Sequence, residues 1–89
     1  VEVLDGAILS TKKGYIGNQT NAVANQLFLS GQNTVWTNSD SIYVGYDGAG
    51  NRLVVTNAAG VLTRRLALGY RSNDNWMILT DKAMVETIT

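Results

Sequence analysis

An all-β fold, and within it a right-handed parallel β-solenoid of about four coils with three short strands each, is the architecture this sequence predicts. Three observations carry that expectation. Short apolar runs alternate with a period of two between Gly, Asn, Ser and Thr, and the chain has no proline. One strand pattern recurs at steps of 24 to 26 residues, with the length variation confined to the turns. No segment has helical periodicity over a useful length: Leu66 to Tyr70 is too short and Asp81 to Thr87 alternates. Right-handed crossover is the default for parallel strands of one sheet.

The first element of each coil, strand B, reads Asn-x-apolar-x-apolar. It appears as Asn25 to Leu29, Asn51 to Val55 and Asn75 to Leu79, and Val1 to Val3 is the same strand without its Asn. The copies start near 1, 27, 53 and 77 of a single segment spanning 1-89. Strand C begins eight residues later at Leu9, Val35, Val61 and Val85, and two residues further on each copy has threonine: Thr11, Thr37, Thr63 and Thr87. Strand A ends in an apolar residue followed by glycine, as Ile16-Gly17, Val44-Gly45 and Leu68-Gly69.

Stacked coils run in one direction, so equivalent strands pair in parallel and alternate residues enter one narrow core. The expected inward ladders are Val1/Leu27/Leu53/Met77, Val3/Leu29/Val55/Leu79, Leu9/Val35/Val61/Val85 and Ile16/Val44/Leu68. Every member is apolar. Asn25, Asn51 and Asn75 stand where the chain turns into strand B and are expected to form a structural ladder, their amides bonded along the stack and to turn backbone. The threonine column shares the parity of buried positions, which argues against an outward ice-binding array. Gly17, Gly45 and Gly69 are expected to bend the chain at a corner.

Outward positions are the expected place of function. On strand B they read Glu2, Phe28, Val54 and Ile78, and on strand C they include Trp36 and Leu62. Phe28, Val54, Ile78, Trp36 and Leu62 therefore make a candidate interaction surface.

The totals narrow the partners and the chemistry. Seven basic and seven acidic residues cancel, so no nucleic-acid partner is expected. No run reaches the roughly 18 apolar residues of a membrane span. Histidine and cysteine are absent, which removes the commonest general base and the thiolate ligands, and no metal or cofactor is expected. Asp47 to Asn51 has neither the Lys-Ser/Thr of a phosphate loop nor the regular acids of a calcium loop, and reads as a turn. The carboxylates do not pair: Asp5 and Asp81 share a column but lie three coils apart, roughly 14 Å at the strand spacing. No catalytic residue is assigned, and the chain is expected not to be an enzyme.

The phrases Gly14 to Gly17, Gly31 to Asn38 and Ile42 to Asn57 resemble the passenger repeats of large bacterial surface proteins, the autotransporter-associated or PEP-CTERM-linked β-solenoids. The likeness is most specific from Tyr15 to Leu62 and weakens at Asp81 to Met84. It implies secretion, a location outside the cell or on the bacterial surface, a long right-handed solenoid and a role in adhesion or surface assembly. It supplies no catalytic residues. The functional expectation is thus a structural or adhesive segment whose partners are further solenoid coils, copies of itself or surface glycans. The alternatives are a carbohydrate-binding module using Tyr15, Tyr43 and Trp36 as stacking platforms, and a fragment of a β-helical polysaccharide-active enzyme. The chain opens on strand B and closes after strand C without a recognisable cap, so an excerpt of a longer solenoid and a self-stacking unit are both expected forms.

Overall fold

The computed structural model describes residues 1–88 and builds them from eleven strands in three parallel sheets. Sheet B stacks β1 (Glu2–Leu4), β4 (Gln26–Ser30), β7 (Arg52–Thr56) and β10 (Trp76–Leu79). Sheet C stacks β2 (Ile8–Thr11), β5 (Val35–Asn38), β8 (Gly60–Thr63) and β11 (Met84–Thr87), and sheet A stacks β3 (Gly14–Ile16), β6 (Ser41–Val44) and β9 (Arg65–Leu68). Among the described residues there is no helix, and hence none long and apolar enough to cross a membrane. The chain visits the sheets in the order B, C, A. It makes a β-solenoid of about three turns, with the B and C strands of a further coil, rather than the four coils the repeat count implies.

Sheet B has the register that its Asn-x-apolar-x-apolar pattern demands. Leu27 pairs with Leu53 and Leu53 with Met77, while Val3, Leu29, Val55 and Leu79 form the adjoining inward column. Leu29, Leu53 and Val55 are fully buried, and each such side chain contributes about 1.5–3 kcal/mol of hydrophobic stabilisation. Sheet A aligns Ile16, Val44 and Leu68, with a second inward column of Gly14, Ile42 and Leu66. Burial is deepest in the middle coils, because a residue in an outer coil has a neighbour on one side only; Leu68 is half exposed although Val44 beside it is fully buried.

Sheet C corrects the sequence reading by one residue. Its inward column is Leu9/Trp36/Val61/Val85 and not Leu9/Val35/Val61/Val85, and the next is Thr11/Asn38/Thr63/Thr87, with Asn38 where Thr37 was expected. A one-residue slip exchanges the faces of a strand, so Val35 and Thr37 point outward and Trp36 points into the core. The cause is a longer turn. Three B-to-C corners close with a backbone bond across two intervening residues, Ala7 N to Leu4 O, Ala59 N to Thr56 O and Ala83 N to Thr80 O. Both intervening residues have positive φ in each: Asp5 and Gly6, Asn57 and Ala58, Asp81 and Lys82. The second coil instead closes from Thr34 N to Gly31 O and holds one residue more between sheets. Thr34 is buried there, donating its hydroxyl to Ser30 O at 3.0 Å and accepting Gly6 N at 2.8 Å.

Candidate interaction surfaces

The polar ladders are internal fittings of the coil. Asn51 is fully buried; its Oδ1 accepts the Asn25 backbone N–H at 2.7 Å and its Nδ2 donates to Gly48 O at 2.9 Å, with longer bonds to Ala22 O and Ala49 O. Asn75 repeats the arrangement one coil on, accepting Asn51 N–H at 3.0 Å and donating to Ser72 Oγ and Asn73 O. Gly17 and Gly45 are the other half of this fitting: both have φ near +80°, and a Cβ on either would run into the side chain of Asn51 or Asn75 respectively. Gly69, with the same φ, has the more open surroundings of an outer coil.

Of the threonine column, Thr11 and Thr63 are also spent inside, while Thr87 is exposed on the outer coil. Trp36 Nε1 donates to Thr11 Oγ1 at 2.8 Å, Thr11 Oγ1 donates to Asn38 Oδ1 at 2.7 Å, Asn38 Nδ2 donates to Thr63 Oγ1 at 3.0 Å and Thr63 Oγ1 donates to Arg65 O at 3.0 Å. Each donor in this chain of polar groups, which crosses three coils, has an acceptor, so the solenoid can bury them. Thr37 has no part in it and stands half-buried on the outer face of β5.

Of the five residues expected to form an interaction surface, four point outward. Phe28, Val54 and Ile78 stand in one column with Glu2 on the outer face of sheet B, half-buried or exposed, and Leu62 is half-buried on the outer face of sheet C. Trp36 is the exception, 2 % exposed. The exposed tryptophan is Trp76, 57 % accessible, on the outer face of β10 in register with Arg52 and two residues from Ile78. The strand B pattern held the signal for it, since Trp76 occupies the x between Asn75 and inward Met77.

A tyrosine corner flanks sheet A. Tyr15 and Tyr43 are in register on the outer faces of β3 and β6, their rings stacked at 5.2 Å. Tyr46 and Tyr70 stack at 4.7 Å on the turns that follow, and the two stacks meet edge to face at 4.9–5.5 Å. Arg71 lies 5.1 Å from the Tyr46 ring centroid and binds both carboxylate oxygens of Asp47, at 2.9 and 3.1 Å. That hydrogen bond, then the charge of Asp47, raises the Arg71 pKa above its ordinary value. Ring faces in this cluster are turned chiefly to other rings. Tyr15, on the edge strand of its sheet, is 43 % exposed.

A third surface is the corner between sheets C and A. Lys12 and Lys13 lead into β3, Arg64 precedes β9 and Arg65 opens it, while the intermediate coil has Ser39, Asp40 and Ser41 at the same place. Asp40 lies 3.9 Å from Lys13 and 3.6 Å from Arg65. Among the described residues no group of three His, Cys, Asp or Glu side chains is placed to hold a metal ion. No protein-family model matches the chain, and no curated protein or solved structure matches it either.

Proposed function

We propose that this chain is a structural or adhesive segment of a right-handed solenoid that works outside the cell or on a bacterial surface, by contact along its sides. The observation that carries the reading is the outer face of sheet B, where Phe28, Val54 and Ile78 follow one another at the strand spacing with Trp76 beside them. A continuous apolar stripe on a regular rod favours association with further coils or copies of the same chain. The resemblance to autotransporter-associated and PEP-CTERM-linked repeats points the same way.

Sedimentation velocity on the wild type and on a Phe28→Ser, Val54→Thr, Ile78→Thr variant tests this. The threonines keep the β-branched shape that strands favour. Loss of self-association with an unchanged far-ultraviolet spectrum is the expected result; a folded variant that assembles as before overturns the assignment.

A second reading, the carbohydrate-binding module, keeps Tyr15 as a platform, loses Trp36 to the core, and finds Tyr43 engaged by three other tyrosine rings. Its support is the exposure of Tyr15, 43 % accessible on the edge strand. Titration with neutral oligosaccharides, with Tyr15→Ala as control, separates it from the first.

A further inference from the structure

A neutral total hides an uneven distribution. The corner between sheets C and A holds Lys12, Lys13, Arg64 and Arg65, four of the seven basic residues, against Asp40 alone of the seven acidic ones. By side-chain charge that corner is positive by three and the remainder of the molecule negative by three. The four basic residues are exposed, and only Lys13 and Arg65 have an ion-pair partner among the described residues, sharing Asp40. Lys12 and Arg64 are left on either side of Ser39, two strand spacings or about 10 Å apart along the axis.

An open groove of about 490 Å³ lies over the outer face of sheet C, lined by Ser10, Lys12, Thr37, Ser39, Leu62 and Ile88, and Ile88 also borders a smaller recess formed by Asp40, Arg64 and Arg65. Three of those residues carry hydroxyls, and Leu62 and Ile88 supply apolar floor. Sugars present hydroxyls at their rims and C–H groups on their faces, and this lining answers both. No aromatic residue lines the groove, so it has nothing on which a nucleobase would stack.

We propose that this groove and the recess beside it together bind a linear acidic polysaccharide bearing one carboxylate for every two sugars, with one carboxylate on Lys12 in the groove and the next on Arg64 in the recess. Asp40 supplies the discrimination. A chain with an anion on every residue would press one toward the Asp40 carboxylate, and nucleic acid, whose duplex carries a charge about every 1.7 Å, would do so several times over. A sparsely charged chain passes an uncharged sugar over Ser39 instead. The inference extends the adhesive half of the function proposed above by giving it a ligand, and it uses a different face from the apolar stripe.

The test is a calorimetric titration of the chain with hyaluronan oligosaccharides, set beside polygalacturonate, dextran and single-stranded DNA of similar length. Hyaluronan is expected to bind, and Lys12→Gln and Arg64→Gln to weaken it about fivefold each, the scale of one exposed charge contact. Asp40→Asn is expected to admit polygalacturonate, while Arg52→Gln and Lys82→Gln, away from the corner, change nothing. Equal binding of dextran, tighter binding of DNA, or indifference to Lys12→Gln and Arg64→Gln in variants that melt like the wild type overturns the proposal. The Phe28, Val54, Ile78 variant is expected to keep hyaluronan binding, so failure of the assembly reading and failure of this one give different results.

Discussion

Trp36 occupies the space that Gly14 leaves empty. The two stand on adjoining inward faces, β5 and β3, and a Cβ on Gly14 would overlap the six-membered ring of the indole. The largest side chain of the core is thus matched to the smallest residue of the neighbouring sheet. Gly14→Ala is expected to destabilise the fold by about 1–3 kcal/mol through overpacking, and by much less in a Trp36→Leu background. Urea denaturation of the two single variants and the double variant measures the coupling. Strict additivity would mean that the residues do not meet.

The corrected register makes a prediction of its own. Val35→Ser changes an outward residue and is expected to cost under about 1 kcal/mol, whereas Val61→Ser empties a buried position and is expected to cost about 2–4 kcal/mol. The original alignment puts both valines in one inward column and would make the two losses alike. Thermal melts of both variants decide between the registers.

Asn51 and Asn25 come from the same sequence pattern but not from the same environment. Asn51→Ala leaves the Asn25 N–H and the Gly48 carbonyl without their partner inside the stack and is expected to cost about 2–4 kcal/mol. Asn25, the first rung of this ladder, is exposed, and its replacement by Ala is expected to cost under about 1 kcal/mol. Equal losses in chemical denaturation would argue against a ladder buried at its centre.

Much of this was legible in the residues. Leu27, Leu53 and Met77 announced sheet B because apolar alternation and a leading Asn recur together, and Gly17 and Gly45 marked real corners. Sheet C misled because Val35 and Thr37 imitate the Leu9 and Thr11 pattern while Trp36 and Asn38 occupy those columns; a constant offset from strand B conceals an inserted residue in the turn. Trp36 beside Gly14 carried the missing hint, since a bulky inward residue needs a small one opposite. The C-to-A corner escaped notice for another reason. Lys12 and Arg64 lie far apart in sequence and become neighbours only when the coils stack, so a net charge cannot reveal them.

The two tryptophans give an optical check on the same point. Trp36 is buried and hydrogen-bonded to Thr11, while Trp76 is exposed on β10. Trp76→Phe is expected to leave an emission nearly inaccessible to acrylamide, and Trp36→Phe one that is readily quenched. The reverse order, or equal quenching, would contradict the assignment of faces.

Arg71 and Asp47 form a well-shaped ion pair, yet the Arg71 side chain is 62 % accessible, so solvent screens the pair and its contribution is small. Asp47→Asn is expected to change stability little, and less still at high salt, while Tyr46→Ala, which removes a ring from the centre of the cluster, is expected to cost more. Parallel melts at low and high salt measure both effects.

The most direct test of the stacked parallel arrangement is a nuclear Overhauser map of the core in solution. A solenoid in this register gives side-chain contacts from Leu29 to both Val3 and Val55, and from the Trp36 ring to Leu9, Gly14 and Val61. Contacts joining Leu9 and Val61 through Val35, or an antiparallel pattern between β4 and β7, would contradict it.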